Sequence, residues 1–322
     1  MSISPTYTLR NKRVWVAGHR GLVGSALVRR LQSEGCELLT APRDGVDLRS
    51  LEQTERWMAE TRPQAVFLAA ARVGGIYAND SRPAEFIYDN LMIQSSVVEA
   101  SRRTGVEKLM LLGSSCIYPR LAPQPIPESA LLAGPLEPTN QWYAIAKIAG
   151  IKLGQAYRRQ YGCDFVSVMP TNLYGPGDNF DLLQSHVVPA LLAKAHAALH
   201  ARAPAIEVWG TGAVRREFLY VDDAADGMVH LMKNFSEEGI VNLGPGSDVP
   251  IVDLVKLVCS VVGYKGGVHF DSSRPDGAPR KMVDTQLAKS LGWRARTPLR
   301  EGLEVTYRWY VDNVAPDRRA VA

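Results

Sequence analysis

An α/β fold, a doubly wound parallel sheet with a smaller mixed α/β lobe, is what this sequence predicts, on three observations. Short apolar runs alternate with segments of helical period through the first half of the chain. The first run, Arg13-Val-Trp-Val-Ala17, enters a glycine turn, Gly18-x-x-Gly21-x-x-Gly24, that opens a helix. From about Ser185 the alternation yields to shorter mixed elements, which marks the lobe. Composition agrees, since 322 residues with 46% apolar and 22% charged side chains can bury a sizeable core without staples. The net charge is only +4 and its basic residues are dispersed, so nucleic acid is not an expected partner whereas a small anion is. Cys36, Cys116, Cys163 and Cys259 lie far apart with no C-x-x-C spacing, as reduced thiols of a cytoplasmic protein would. Neither a secretory pattern nor an apolar run of spanning length is present, so no membrane association is expected.

The elements follow in order. Arg13–Ala17 has the unbroken apolar character of a strand buried on both faces. The glycines after it let the backbone approach a pyrophosphate seated on the N-terminus of the helix. A second strand, Glu37-Leu-Leu-Thr40, lacks at its tip the carboxylate that would bind a ribose 2′-hydroxyl; Arg43 follows instead, and Arg20 sits in the glycine turn. Two guanidiniums there suit a 2′-phosphate, hence NADP(H). Asp47 reaches the adenine or caps the next helix. The third strand, Gln64–Ala71, ends in alanines small enough for a cofactor to lie across, Ala70 among them. A long helix over Ala84–Arg103 and a fourth strand, Glu107–Leu112, come next. Right-handed crossovers then bring Gly18, Ala70 and Ser114 to the carboxyl ends of the strands, where a ligand sits. The segment Pro119–Pro138, with six prolines, is expected to arch over that site, with Thr139 or Asn140 capping the helix beyond it. Asp164–Met169 is a further strand, running into the turn-rich Pro170-Thr-Asn-Leu-Tyr-Gly-Pro-Gly177.

Residues 1–184 thus read mainly as a Rossmann-type nucleotide-binding domain and 185–313 mainly as a substrate lobe, with crossover elements near 205–245 and a flexible tail over 314–322. In the lobe, helices are expected at His186–His200, Asp222–Lys233, Ile251–Val262, Thr285–Leu291 and Leu299–Val311. Short strands are expected around Ile206–Trp209, Glu217–Tyr220, Ile240–Leu243 and Val268–Asp271.

Chemistry enters with Tyr143-x-x-x-Lys147, whose side chains share one helix face. A lysine ammonium one turn away is expected to lower the phenol's pKa towards the working range of an acid/base catalyst. Ser114, at the end of the fourth strand, can hydrogen-bond the same substrate oxygen, which makes a carbonyl/alcohol site.

These motifs together resemble the extended short-chain dehydrogenase/reductases that act on nucleotide sugars. Gly18-His-Arg-Gly21, Val73-Gly-Gly-Ile76, Gly113-Ser-Ser-Cys-Ile-Tyr-Pro119, Leu136-Glu-Pro-Thr-Asn140, Tyr143-Ala-Ile-Ala-Lys147 and Ser185-His-Val-Val-Pro189 narrow the likeness to the GDP-L-fucose synthase family, over roughly residues 12 to 313. Arg216-Glu-Phe-Leu and Pro275-Asp-Gly-Ala-Pro-Arg-Lys281 continue it. The resemblance implies NADPH-dependent epimerisation at C3 and C5 of GDP-4-keto-6-deoxy-D-mannose followed by reduction at C4. A Tyr–Lys pair alone supplies reduction; for proton exchange at carbon, Cys116 and His186 are the available groups, and the resemblance points to the same two. Thiol and imidazole are both expected to titrate near neutrality. It further implies that Gly18, His19, Arg20, Gly21, Leu22, Val23, Gly24, Arg43, Asp47, Ala70, Leu112, Gly113, Ser114, Ser115, Lys147, Pro170, Thr171, Asn172, Leu173 and His186 hold the cofactor. Asn172, Lys194, Trp209, Arg216, Asp276 and Lys281 would hold the GDP-sugar, Lys194 standing where the family frequently has arginine. A homodimer built from the helices Ala84–Arg103 and Asn140–Arg158 is also implied. Two alternatives are a reductase or epimerase of another GDP-4-keto-deoxy sugar and a non-catalytic NADP(H)-binding sensor; the sensor would usually have lost Tyr143 or Lys147, and both are present.

Overall fold

The structure, a computed structural model, describes residues 6–182, 184–274 and 276–315. β1 (Arg13–Ala17) passes through the glycine turn into α1 (Leu22–Leu31), which is followed by β2 (Glu37–Leu39), α2 (Leu51–Thr61) and β3 (Ala65–Leu68). Then come α3 (Ile76–Ser81), α4 (Pro83–Arg103), β4 (Lys108–Leu112), α5 (Gln141–Tyr161) and β5 (Asp164–Pro170). The lobe is entered through β6 (Asn172–Tyr174), α6 (Val187–His200), β7 (Ala205–Trp209), β8 (Arg215–Arg216) and β9 (Phe218–Tyr220). It continues through α7 (Val221–Asn234), β10 (Ile240–Leu243), β11 (Val249–Pro250), α8 (Ile251–Val262), β12 (Gly267–Asp271), β13 (Arg280–Lys281), α9 (Gln286–Ser290) and α10 (Leu299–Asn313).

The main sheet is parallel throughout, in the order β10-β5-β4-β3-β1-β2. Strand addition reverses between β1 and β3, and a crevice at such a switch point is where a doubly wound sheet takes its ligand. One face of the sheet packs against α1 and α7, through residues such as Leu27, Leu31, Met228 and Met232. The other face packs against α2, α4 and α5, through Met58, Val97, Val98 and the partly buried Leu153. A separate apolar core unites α6, α8, α10, β7 and β9 in the lobe. Although they follow the entry into the lobe, α7 and β10 return to the main sheet, β10 pairing in parallel with β5.

Several expectations are corrected. β3 stops at Leu68, short of the expected Ala71; Ala69 still donates to the Ala17 carbonyl (2.9 Å), but Ala70 and Ala71 leave the ladder. The proline-rich loop does not arch over the site. It is pinned beside the outer strand β10: Tyr118 Oη donates to Asn242 Oδ1 (2.6 Å), and Asn242 in turn donates to Glu128 Oε1 (3.1 Å) and the Ile126 carbonyl (3.1 Å). Only its end, Glu137–Asn140, reaches the site. Neither Thr139 nor Asn140 caps α5 with its side chain, although Asn140 occupies the cap position. α2 is capped by Ser50, whose Oγ accepts from the Gln53 amide (3.3 Å), so Asp47 does not serve there. Of the expected flexible tail, Ala315 is buried in the lobe core, which places it with the folded chain, whereas Asp317–Arg319 lie outside the described residues, as does Pro275.

Candidate active site

Two neighbouring cavities open at the carboxyl ends of the sheet strands. The first, of ≈ 300 Å³, is lined by Gly18, His19, Arg20 and Gly21 from the glycine turn, by Arg43 and Asp47 after β2, and by Ala70 and Arg72 after β3. Its floor cannot accept side chains. Gly18 has φ +89°, and a Cβ there would stand 2.6 Å from the Ala70 backbone nitrogen. One at Gly24 would stand 2.0 Å from the Gly18 carbonyl oxygen, so this glycine lets α1 press against the turn. α1 begins at Gly21 with no side-chain cap and no acidic residue in its first turn, which leaves backbone N–H groups and the helix dipole for an anion. Among the described residues Arg20 and Arg43 form no salt bridge, whereas Asp47 is held by Arg49 (2.9 Å), which keeps its carboxyl below the usual range. A dinucleotide with a 2′-phosphate fits this donor set: amides for the pyrophosphate, two uncommitted guanidiniums for the extra phosphate. Leu22, Val23 and Gly24 lie behind the lining.

The second cavity, of ≈ 340 Å³, is lined by Ser114, Ser115, Cys116, Tyr143, Asn172, Leu173, His186, Lys194, Trp209, Arg216, Asp276 and Lys281. Sequence-predicted residues from well-separated stretches of the chain therefore line one cavity. Ser114 ends β4's extension and accepts from the Cys116 amide (3.4 Å) as the chain tightens into a short 3₁₀ turn. His186 stands at the N-cap position of α6. Lys147 does not line the cavity. It is buried behind Tyr143, donating from Nζ to the Leu112 carbonyl (2.7 Å), with Nζ 5.7 Å from the phenol ring centroid. Leu112, Gly113, Pro170 and Thr171 also sit behind the lining; a Cβ on Gly113 would meet the Met169 sulfur at 2.3 Å, so close packing explains that glycine. Asn172 is fixed from below, its Nδ2 donating to the Glu217 carbonyl (2.8 Å).

Titration in this wall is governed by burial. The Tyr143 phenol is pushed well above its ordinary range by desolvation, and burial pulls Lys147 down to about 8. The expected depression of the phenol by its lysine is not found, since desolvation favours the protonated phenol. Burial also raises the Cys116 thiol, against the pull of Lys281, Ser114 and Lys147; desolvation by the surrounding cavity walls lowers the His186 imidazole, although its side chain is open to solvent. The expectation that both titrate near neutrality is corrected, since burial disfavours the charged form of each.

A partly buried cation pair forms the far end. Arg216 on β8 is in register with Lys281 on β13. Successive strand residues point to opposite sides, so Arg215 and Arg280 turn away together onto Asp248 (2.9 and 2.5 Å) while Arg216 and Lys281 line the cavity. Arg216 makes no ion pair with its neighbour Glu217; it donates to the carbonyls of Arg215 (2.8 Å) and Asp276 (3.1 Å). The Asp276 carboxylate is occupied by Thr211, from its amide and its hydroxyl (both 2.8 Å), so it braces the cavity mouth. Lys194 donates to the Glu207 carbonyl (3.0 Å), and the half-exposed Trp209 ring lies within 5.6 Å of the Lys194 Nζ and 5.0 Å of the Arg274 guanidinium. Sequence reasoning missed Asn79 at the cavity and Arg274 beside Trp209, and assigned no site role to Glu137, Thr139 or Asn140 within the Leu136-Glu-Pro-Thr-Asn140 motif; the doubled basic pairs Arg215-Arg216 and Arg280-Lys281 were a signal available for the alternation. Among the described residues, no group of three or more His, Cys, Asp or Glu is placed to hold a metal ion.

Residues 14–244 match the NAD dependent epimerase/dehydratase family. The chain belongs to that family. Within it, the chain is 55% identical over 311 residues to GDP-L-fucose synthase of Sinorhizobium fredii, covering 97% of this chain and 99% of that one. A GDP-L-fucose synthetase of Naegleria fowleri bound to NADP superposes with a TM-score of 0.89 at 27% identity, covering 99% of both chains. A GDP-6-OMe-4-keto-L-xylo-heptose reductase of Campylobacter jejuni superposes with a TM-score of 0.88 at 34% identity, covering 93% of this chain and 97% of that one. For a member of the epimerase/dehydratase family, the two cavities described above correspond in place to the switch-point crevice and the adjoining lobe.

Proposed function

We propose that this protein converts GDP-4-keto-6-deoxy-D-mannose to GDP-L-fucose by epimerising C3 and C5 and reducing C4 with NADPH. The observation that carries the reading is the meeting of Ser114, Tyr143, Cys116 and His186 with the Arg216–Lys281 pair around one cavity. Reduction needs a proton donor at the ketone oxygen, which Tyr143 supplies while Ser114 hydrogen-bonds the same oxygen. NADPH, when bound, supplies the hydride to C4. Epimerisation needs proton removal and return at carbons acidified by the 4-keto group, and Cys116 and His186 are the groups at the wall that do this. Arg216 and Lys281, desolvated and with no salt bridge to a carboxylate among the described residues, suit the sugar diphosphate. Trp209 offers a face for the guanine.

A homodimer through α4 and α5 goes with this reading, because Tyr88, Trp142, Ile145 and Tyr161 on these two helices leave large apolar surface exposed. Its four free cysteines fit the reducing environment of the cytoplasm, and no helix among the described residues is long and apolar enough to cross a membrane. Purified protein given the keto-sugar and NADPH should form GDP-L-fucose, identified by NMR. A product reduced at C4 but unchanged at C3 and C5 would show a simple reductase instead.

A further inference from the structure

The three-stranded sheet β11-β8-β13 is built from strands of two residues each, yet it delivers both cations at the far end of the second cavity. Its register sets like charges opposite one another on both faces: Arg215 faces Arg280, and Arg216 faces Lys281. Such pairs repel, and ladders this short offer few hydrogen bonds to resist. On the face turned from the cavity, a single carboxylate answers the repulsion. Asp248 Oδ1 accepts from Arg215 Nη2 (2.9 Å) and Nε (3.1 Å), and its Oδ2 accepts from Arg280 Nε (2.5 Å). The Asp248 carbonyl accepts from Arg215 Nη2 as well (3.0 Å). Its side chain is 4% exposed; burial of the carboxyl is outweighed by Arg215 and Arg280, which hold it below its ordinary range. Asp248 is itself fixed in place, because Gly246 donates to Glu217 Oε1 (2.8 Å) just before it and Val249 is paired with Arg216 just after it. On the cavity face, Arg216 and Lys281 form no salt bridge to a carboxylate among the described residues, so an anionic ligand is left to balance them.

We propose that Asp248 is a positioning residue that sets the spacing of Arg216 and Lys281, and so fits the cavity to a nucleoside diphosphate rather than a monophosphate. The inference rests on the reading above that this pair takes the sugar diphosphate. By drawing Arg215 and Arg280 onto one carboxylate, Asp248 closes β8 on β13 from behind, and strand alternation then fixes the two cations in front. A pair held at one separation can engage both phosphates of a diphosphate together. If β8 and β13 splay, the cations act singly, which is all that a monophosphate needs.

The test measures binding of GDP, GMP and NADPH by calorimetry in the unaltered protein, in Asp248→Asn, and in Asp248→Asn combined with Arg280→Gln. The unaltered protein should bind GDP tighter than GMP; equal binding would refute the assignment of Arg216 and Lys281 to a diphosphate, and this inference with it. Given that preference, Asp248→Asn should weaken GDP by about ten- to a hundredfold, the scale of one lost charge-assisted hydrogen bond. GMP should weaken much less and NADPH not at all. The sign separates geometry from charge: removing a negative group strengthens anion binding through space, so a loss confined to GDP reports spacing. The double variant removes the opposed guanidinium together with the carboxylate, and should regain most of the preference for GDP. Should Asp248→Asn not fold, the double variant decides in the same way. A preference kept in Asp248→Asn, a preference not regained in the double variant, or equal weakening of GDP, GMP and NADPH would each overturn the proposal.

Discussion

Tyr143, Cys116 and His186 share a wall, and desolvation acts on each in the direction of its neutral form. Cys116→Ser keeps the size of the side chain but replaces the thiol by a hydroxyl that hardly ionises. Deuterium uptake from solvent at C3 or C5 should therefore drop by roughly 10²–10⁴-fold, while binding of the GDP-sugar persists; uptake at the wild-type rate would make Cys116 a packing residue. Lys147 carries a second prediction. Burial holds it at about 8, so its ammonium, which stabilises the phenolate left by proton donation, is lost as pH rises through that value. The rate of NADPH oxidation should fall on that limb, and a flat profile to pH 10 would contradict this. Stability should move the opposite way. Between about 8 and the ordinary lysine value the unfolded chain holds the proton that the folded chain has shed, so folding is favoured as pH rises through that window. Tyr143, Lys147, Cys116 and His186 were legible from spacing and resemblance, but their protonation was not, because spacing carries no information on desolvation. Asn79 left no trace in the sequence, since one asparagine on a short helix has neither a period nor a partner to reveal it.

Glu217, in the short link between β8 and β9, ties three elements together behind the cavity. Its Oε1 accepts from the Gly246 amide (2.8 Å) and its Oε2 from the Val283 amide (2.9 Å), while its carbonyl holds Asn172. Burial lifts its carboxyl to about 7 despite these bonds. Glu217→Gln can match only one of the two amides and turns an N–H against the other. It should cost about 1–3 kcal/mol in denaturant unfolding; an unchanged midpoint would mean that the two loops rearrange freely. The strands and helices themselves were legible because their apolar periods are local. Less legible was the proline-rich loop, whose anchor, Asn242, lies more than a hundred residues along the chain. The return of β10 to the main sheet falls among the crossover elements expected near 205–245, although the strand's own apolar letters read the same in either layer.

For the molecule as a whole, cofactor choice and double chemistry depend on how the two cavities join. Arg20 and Arg43, which pair with no carboxylate among the described residues, should favour NADPH over NADH; replacing both by alanine should narrow the affinity difference, each charge-assisted hydrogen bond being worth about 1.5–3 kcal/mol. Equal affinities in the unaltered protein would refute their assignment. The sequence foretold a parallel nucleotide-binding sheet with a smaller mixed lobe, because the regular alternation of strands and helices gives way to shorter elements from about Ser185. It could not foretell the juxtaposition of Arg216 and Lys281, which exists only through the β8–β13 register. The central claim is that one cavity houses both epimerisation and reduction, with Tyr143 needed for the second alone. The measurement is proton NMR of the keto-sugar incubated with Tyr143→Phe protein and NADPH in deuterium oxide. Deuterium at both C3 and C5 with little NADPH consumed is the expected result; an absence of exchange, or NADPH oxidation at the unaltered rate, would overturn the assignment of Tyr143 to reduction alone.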